Sequence, residues 1–460
     1  MKILLISPSK SDHKLKWFNR FFYHAGLSLS VVKNLTPEDI EVEIVDERIE
    51  NIDINHDADL IGISVHTSVA PRSYTLANEF RKRKKTVVLG GYHPTARTQE
   101  ALEYSDAVVV GPADTAWPQL LQDFKDNTLK KIYHGNKTPS LKSLIPEKRV
   151  GKKTFFPTNR LMTSIGCNYR CSTCAITKFY EKFMHKDLDS VIKEIKLMGK
   201  NLITFLDSNI VGNKKFAKEL FRRIIPLNKK WIGQTTISTA YDDELLDLMA
   251  ASGCIGLGIG FESINQNNIH LINKGTNVVS DYEKNINKIH KHGIIIKGNF
   301  MFGFDHDTPD VFEKTLEFAI NNGIDLLTLN ILTPYPGTRY YEQLANQGRL
   351  IHNESEHPFA WALYDRNHCV FKPIKANGLT PELLEYGLKW MYAQFYSLPN
   401  VKKKILHEPN YTRLLKIAST VFNGLQFIKT IPERKKHSIL PSVYYKTLTS
   451  DILLNTGVNY

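Results

Sequence analysis

Cysteine is scarce in this 460-residue chain, which contains only five. So few cysteines in so long a chain exclude the disulfide framework of a small secreted domain and fit a reducing compartment. Hydrophobic runs as long as a membrane helix are also missing, so no transmembrane segment is predicted. The first residues predict a buried strand instead of a signal peptide, and we therefore expect a cytoplasmic protein.

A dinucleotide fingerprint is missing too. The first predicted strand is followed by Ser7-Pro8-Ser9 instead of GxGxxG, which removes the support for NAD or FAD binding. The net charge of +13 includes two short basic runs, residues 81–85 and 402–404, without interleaved aromatic residues. The charge therefore predicts solvated lysine-rich faces, and nucleic acid is not an expected partner.

Three of the five cysteines stand together as Cys167, Cys171 and Cys174, in the pattern CxxxCxxC. Three thiolates on one loop can hold three corners of a [4Fe-4S] cluster and leave the fourth iron open to substrate or cofactor. A zinc site completed by His185 is the alternative, although no second cysteine pair follows at zinc-ribbon spacing. The isolated Cys254 and Cys369 are expected to be buried as small apolar residues.

Short apolar strands alternate with helix-length segments in the first part of the chain, residues 1–140. Strands are predicted at 3–6, 42–46, 60–65, 86–89 and 107–110, and a helix at 72–83. This pattern predicts an α/β domain with a doubly wound, Rossmann-like parallel sheet, which binds ligands beyond the carboxyl ends of its strands. Residues 141–155 are predicted to be a linker.

Residues 156–350 contain six further strand–helix units. Strands are predicted at 161–165, 202–206, 232–237, 255–261, 294–301 and 325–332. Helices are predicted at 187–199, 214–225, 242–252, 280–292, 309–322 and 338–346. Six such units predict a partial (β/α)6 barrel of the TIM type, with its chemistry at the carboxyl ends of the strands. Residues 351–460 are predicted to be mostly helical, with one helix beginning at Thr380 and Pro381.

The cysteine pattern resembles the cluster loop of radical S-adenosylmethionine (SAM) enzymes. The resemblance implies that the three cysteines bind a [4Fe-4S] cluster, that SAM chelates the open iron, and that one electron cleaves SAM to a 5′-deoxyadenosyl radical. Thr173 departs from the family, which usually has an aromatic residue there beside the adenine. The ends of the second, fourth and fifth predicted barrel strands resemble the family's SAM-binding motifs, which implies SAM contacts at Asp207, Asn209, Glu262, Ser263 and Gly298.

The first domain resembles the cobalamin-binding domain found ahead of many radical SAM cores. The Asp-x-His-x-x-Gly motif of the related mutases is absent, because Asp12 and His13 are adjacent. The resemblance therefore implies cobalamin without a histidine from that motif below the cobalt. Gly111 is followed by Pro-Ala-Asp where the family tends to have acidic residues. The implied cobalamin contacts are Ser7, Ser64, His66, Thr67, Gly90, Gly91, Tyr92, His93 and Gly111.

The whole chain is similar to cobalamin-dependent radical SAM methylases, including the hopanoid C-2 methylase group. The resemblance implies that methylcobalamin methylates an unactivated carbon of a lipid or natural product after hydrogen abstraction. It also implies a reducing partner such as flavodoxin or ferredoxin. Candidate substrate contacts are Tyr335, Tyr364, Asp365 and His368. Three alternatives stay open: a non-methylating radical SAM cyclase, oxidase or rearrangement enzyme, a tRNA-modifying enzyme, and a non-catalytic iron–sulfur electron carrier.

Overall fold

The computed structural model describes residues 1–10, 28–139, 141, 159–199, 201–352, 359–397 and 399–400. The chain divides into a first unit, Met1–Phe395, and a second unit, Tyr396–Tyr460. The predicted helical tail beyond residue 400, most of the predicted linker at 141–155 and the Asp-His pair at residues 12 and 13 lie outside the described residues. Among the residues that are described, no helix combines the length and hydropathy needed to cross a bilayer.

Six parallel strands form the N-terminal sheet, in the order β2-β1-β3-β4-β5-β6. They are β1 (Lys2–Ser7), β2 (Glu41–Asp46), β3 (Leu60–Ser64), β4 (Thr86–Gly90), β5 (Ala107–Val110) and β6 (Ile132–His134). The doubly wound parallel sheet is confirmed. The sixth strand was not predicted from the sequence, because Ile-Tyr-His is short and carries no apolar run.

Helices cover both faces of this sheet. They are α1 (Ser28–Asn34), α2 (Ala70–Lys82), α3 (Tyr92–Ala96), α4 (Thr98–Glu103) and α5 (Ala113–Lys125). Alternate residues of β1 separate accordingly: Leu4 packs in one buried cluster with Phe80 of α2, and Leu5 packs in the other with Trp117 of α5. Because both faces are buried, the strands are apolar throughout, as is typical of parallel sheets.

The strand order reverses at β1, which lies between β2 and β3. Chain segments that leave two such neighbouring strands run in opposite directions, so a crevice opens beyond their carboxyl ends. Ser7 and Ser64 end the two strands that border this crevice. The sheet therefore provides its ligand site on the side where the sequence predicts cofactor contacts.

The remaining strands belong to the barrel and to a separate two-stranded sheet. They are β7 (Asn159–Leu161), β8 (Ser164–Ile165), β9 (Met184–His185), β10 (Leu202–Phe205), β11 (Lys230–Thr235), β12 (Cys254–Glu262), β13 (Ile295–Phe302) and β14 (Leu326–Ile331). Strand β8 pairs with β9 in antiparallel fashion. The other six form a parallel sheet in the order β14-β13-β12-β11-β10-β7, which confirms the partial barrel.

The six helices predicted for the barrel are present, with boundaries that differ by no more than two residues, and two short helices at residues 176–179 and 266–271 were not predicted. The helices of this part of the chain are α6 (Ile176–Phe179), α7 (Leu188–Leu197), α8 (Lys214–Ile224), α9 (Asp243–Ala251), α10 (Gln266–Leu271), α11 (Tyr282–Lys291), α12 (Val311–Asn321), α13 (Arg339–Asn346) and α14 (Pro381–Phe395). The backbone N–H of Leu383 donates to the Thr380 hydroxyl at 3.2 Å, which makes Thr380 the predicted cap of α14.

The first barrel strand differs from its predicted range, 161–165. The parallel strand ends at Leu161, and β8 belongs to a different sheet. The reason is a side chain: the Thr163 amide donates to both carboxylate oxygens of Asp207, at 3.1 Å each, instead of to a neighbouring strand. The sequence contains an uninterrupted run of strand-forming residues at 161–165, and it does not show that the strand breaks after Leu161.

The segment after β14 returns to the N-terminal sheet. A short 3-10 helix, Phe359–Leu363, places Trp361 in the buried cluster beside α2. The Trp361 indole N–H donates to Glu100 of α4 at 2.9 Å, and the Arg97 guanidinium lies 5.4 Å from the indole ring centre. This segment therefore links the two sheets within the first unit by packing, a hydrogen bond and a cation–π contact.

Candidate active site

The three clustered cysteines occupy the loop after β8, and all three are free and partly exposed. Gly166 enters the loop at φ +75°, where an added Cβ would collide with the carbonyl of Lys182. Glycine therefore allows this turn to pass against the neighbouring backbone. Burial raises the pKa of the Cys171 thiol to about 11 and also raises that of Cys174. Coordination to a metal offsets such an effect, because a metal ion deprotonates its thiol ligands.

His185, the residue on which a zinc site would depend, has other contacts. Its ring stacks on Phe216 with 4.1 Å between ring centres, and its Nδ1 lies 3.0 Å from the Lys186 carbonyl oxygen. Within the described part of the chain, no three Cys, His, Asp or Glu side chains surround a single metal position. Thiolates that bind separate irons of a cubane need not converge on one point.

Asp207 is fully buried, and its carboxylate contacts the residues that precede the cysteine loop. Besides the Thr163 amide, it accepts hydrogen bonds from the Thr163 hydroxyl at 2.7 Å and from the Ser164 hydroxyl. Burial raises its pKa, and these donors lower it. Nearby, the Asn209 Oδ1 accepts from the Thr235 hydroxyl at 3.2 Å. Asp207 and Asn209 therefore both have side-chain hydrogen bonds to other segments, and the donors to Asp207 lie directly before the cysteine loop.

Glu262 ends β12 in a left-handed conformation, φ +64°, where the register between β12 and β13 shifts. Its carboxylate forms an ion pair with Lys274 at 2.5 Å, and the Lys274 ammonium also donates to the Gly260 carbonyl at 2.8 Å. An added Cβ on Gly260 would lie 2.6 Å from the Lys274 Nζ, so glycine makes room for the pair. Both charges act on the Cys171 thiol, whose pKa Lys274 lowers and Glu262 raises. The predicted Glu262 thus lies beside the cysteine loop.

Ser263 and Gly298 have mainly local contacts. The Ser263 hydroxyl accepts from the Asn265 amide and from the Asn268 side chain, both at 3.1 Å. A Cβ on Gly298 would lie 2.9 Å from the Phe300 ring and 3.2 Å from Ile324. Gly298 therefore permits close packing on the helix-covered face of β13, a role that the sequence analysis missed.

A cavity of about 380 Å³ lies at the carboxyl ends of the N-terminal strands. Five of the predicted cobalamin contacts line it, namely Ser64, His66, Gly90, Gly91 and Gly111. Its other side is formed by residues from the start of the barrel, which the sequence analysis did not assign to any site: Met162, Ile165, Phe179, Tyr180 and Leu206. The first domain and the cysteine-bearing part of the barrel therefore share one largely apolar cavity.

The other four predicted cobalamin contacts do not line this cavity. Ser7 accepts a hydrogen bond from Arg48 at 3.1 Å, and Thr67 is buried. The Tyr92 hydroxyl donates to the Pro336 carbonyl at 2.8 Å, which connects the first domain to the loop after β14. His93 is fully buried, 3.3 Å from Glu100, with its ring edge-on to Trp361. Its surroundings are those of a structural histidine.

The four predicted substrate residues also differ from one another in their surroundings. Tyr364 is fully buried, with its ring 4.8 Å from that of Trp361. Asp365 accepts from Lys10 at 2.5 Å and from His368 Nδ1 at 3.0 Å, and these partners lower its pKa although burial opposes them. Asp365 therefore joins the segment after β14 to Lys10. The fourth candidate, Tyr335, has its hydroxyl 3.1 Å from the Arg366 Nε.

Two family models match the two halves of this site. The model of the radical SAM superfamily matches residues 161–319, and that of the B12 binding domain matches residues 15–121. Together these matches cover more than half of the chain. The chain is a radical SAM enzyme with a B12-binding domain. The cofactors of this radical SAM enzyme are a [4Fe-4S] cluster, SAM and cobalamin.

The enzyme is similar to proteins that are named as methyltransferases. Bacteriochlorophyllide d C-12(1)-methyltransferase and C-8(2)-methyltransferase of Chlorobaculum tepidum are 28% and 29% identical to it, over 91% and 86% of this chain and 90% of each relative. Hopanoid C-2 methylase of Rhodopseudomonas palustris is 25% identical over 55% of this chain and 50% of its own length. Membership of the methylase-containing group is thus confirmed.

Solved structures agree with this fold. TsrM of Kitasatospora setae, described with cobalamin and a [4Fe-4S] cluster bound, has a TM-score of 0.62 at 18% identity and covers 100% of this chain and 96% of TsrM. The cobalamin-dependent SAM radical enzyme OxsB has a TM-score of 0.65 at 16% identity, over 98% of this chain and 75% of OxsB. At such identities the likeness concerns the fold alone.

Gly91 offers a test of cobalamin binding by this radical SAM enzyme. It has φ +106°, and an added Cβ would lie 2.9 Å from the Val65 carbonyl oxygen. Gly91→Ala is therefore expected to lower the free energy of unfolding by about 1–3 kcal/mol, because both the conformation and the contact are unfavourable. We also expect weaker corrin absorption in protein purified with cobalamin supplied. Gly275→Ala is the control, since no atom lies within 4 Å of its added Cβ; equal corrin binding by both variants would contradict the prediction.

Proposed function

We propose that this enzyme transfers a methyl group to an unactivated carbon of a large apolar substrate, with a cyclic tetrapyrrole as the first candidate. The observation that carries the proposal is the cavity shared by the first domain and the barrel. A methyl carrier at the N-terminal sheet and a hydrogen-abstracting group at the cysteine loop must act on one carbon, which requires adjoining sites. Two relatives that are similar to more than four fifths of this chain are named as bacteriochlorophyllide d methyltransferases.

In this proposal, different residues of the chain bind the cluster and SAM. Cys167, Cys171 and Cys174 would hold the cluster, and the Glu262–Lys274 pair would contact the polar part of SAM beside it. Carboxylate and ammonium groups suit that part of SAM, which carries hydroxyl, ammonium and carboxylate groups. When bound, the three cofactors supply a hydrogen-abstracting radical and a methyl donor.

The wall of the cavity would exclude water and accommodate the flat corrin. Ser64 and the glycines Gly90, Gly91 and Gly111 leave space at the strand ends for a large ligand to approach the backbone. Met162 and Leu206 cover the opposite side with apolar surface. Exclusion of water protects a reactive carbon centre from side reactions. An electron donor such as flavodoxin or ferredoxin belongs to this proposal as the reducing partner.

The test is anaerobic turnover with SAM that carries a trideuterated methyl group. Reconstituted enzyme is incubated with bacteriochlorophyllide d, a hopanoid or neither, with flavodoxin and its reductase. We expect 5′-deoxyadenosine together with a tetrapyrrole product whose mass shows one trideuterated methyl group. Deoxyadenosine without methyl transfer would replace the proposal by non-methylating radical chemistry, and intact SAM would leave only an electron carrier. Methylation of the hopanoid alone would reject the tetrapyrrole substrate.

A further inference from the structure

Arg366 is a cation that belongs to neither cofactor motif. Its side chain is exposed, and in the described part of the chain its guanidinium has a single hydrogen bond, from Nε to the Tyr335 hydroxyl at 3.1 Å. The guanidinium carbon lies 5.9 Å from the centre of the Tyr335 ring. No carboxylate forms an ion pair with it among the described residues. The two terminal nitrogens of the fork are therefore available to a ligand.

The backbone holds Arg366 in an unfavourable conformation. Its φ is +71°, a region that residues other than glycine rarely occupy. Its carbonyl accepts from the amide of Ile331, the last residue of β14, at 2.7 Å. Such conformations persist only where the surrounding structure imposes them, and they concentrate at binding sites. The hydrogen bond to the end of β14 therefore helps to fix the backbone of Arg366 in this conformation.

Arg366 is within electrostatic range of groups in both halves of the candidate site. Tyr335 raises the pKa of Arg366 most, and Glu262 and Cys174 raise it further. On the other side, burial lowers the pKa of His66, which lines the cavity, and Arg48 and Arg366 lower it further. Glu262 is already paired with Lys274, so it does not neutralise Arg366. Within the part of the chain that the structure describes, no carboxylate therefore neutralises the charge of Arg366.

We propose that Arg366, held by Tyr335 at the end of β14, binds a carboxylate of the substrate. This inference rests on the proposed function, and it restricts the substrate to an acid, such as a tetrapyrrole with a free propionate. A guanidinium fork fits a carboxylate through two parallel hydrogen bonds, which gives orientation as well as affinity. One fixed carboxylate would determine which edge of a large ring faces the reacting groups. Arg366 is thus a specificity-determining residue.

The test compares bacteriochlorophyllide d with its methyl ester. Binding to the holoenzyme is followed by the absorption and fluorescence of the pigment, without turnover. For Arg366→Ala we expect the Kd of the acid to rise about 10- to 100-fold, as for loss of a charge-assisted hydrogen-bonded pair, with the Kd of the ester almost unchanged. Arg366→Lys should recover only part of the affinity, because an ammonium lacks the fork. Arg222→Ala, on the exposed face of α8, is the control.

Arg366→Gly separates binding from folding, because glycine accepts the positive φ without strain. It should show the same loss for the acid as Arg366→Ala and retain its cluster content. Equal loss for acid and ester, or loss confined to SAM affinity, would overturn the inference. If wild-type enzyme methylates acid and ester with equal efficiency, the inference fails and the proposed function stands. If it methylates neither and binds neither, the proposed function fails as well.

Discussion

Cys171→Ala is expected to abolish cluster assembly and, with it, SAM cleavage. Three thiolates leave a cubane cluster with one open iron, and the loss of one of them leaves only two protein ligands. Iron and sulfide bound after anaerobic reconstitution should fall to background, and so should 5′-deoxyadenosine formation. The expected effect is the largest of any single substitution considered for this chain, because every later step depends on the cluster.

Cys369→Ala is the matched control for that experiment. Cys369 is buried, and its Sγ lies 3.2 Å from the Phe371 carbonyl oxygen, well within the segment that follows β14. Burial raises its pKa to about 12, and it lies outside the cysteine loop, so it is not expected to bind the cluster. This variant should retain its iron and its SAM cleavage, with at most a modest loss of stability from lost packing. Full activity in Cys171→Ala, or equal loss in both variants, would contradict the assignment of the cluster loop.

Asp207→Ala is expected to be the most destabilising of the proposed substitutions. The change removes the acceptor for a buried amide and two buried hydroxyls at Thr163 and Ser164. Buried donors that lose their acceptor cost about 1–3 kcal/mol each, so the free energy of unfolding should fall by about 3–5 kcal/mol. Because these donors lie directly before the cysteine loop, iron content should fall as well. Denaturant unfolding and iron analysis of the same preparation measure both effects.

Two further variants isolate the cause. Asp207→Asn keeps the shape and one carbonyl oxygen but directs an amide N–H₂ towards donors, so an intermediate loss is expected. Asp189→Ala removes an exposed carboxylate that pairs with Arg223 on the outside of the barrel, and it should change stability by less than about 1 kcal/mol. Wild-type stability and iron content in Asp207→Ala would show that these hydrogen bonds do not position the loop.

Asp207, Asn209 and Ser263 show how far a motif can locate a residue without defining its contacts. The sequence placed all three at strand ends, where the structure has them. Their partners, however, come from other segments: the donors to Asp207 precede it by 43 and 44 positions. A carboxylate at a strand end has the same local sequence whether it faces a ligand or a buried hydroxyl. Burial decides between the two, and burial depends on the whole fold.

Arg366 shows the opposite case, a residue that the sequence analysis passed over. It stands between Asp365 and His368, which were chosen because their side chains suggested chemistry. In the structure these two residues pair with each other, and Arg366 donates to the Tyr335 hydroxyl. The signal that distinguishes it is its positive φ together with a guanidinium that has no ion-pair partner among the described residues, and neither is visible in the sequence.

The sequence by itself determined the two α/β domains, the cysteine loop and the cofactor classes. These features depend on local properties: apolar runs bounded by glycine or proline, and ligands that lie close together in one loop. Only the tertiary structure decided that the first domain and the start of the barrel share one cavity, and that His93 and Tyr364 are buried among aromatic residues. Those outcomes depend on contacts between segments far apart in the chain, such as Glu100 with Trp361. Long-range packing brings such residues together, and no local pattern records it.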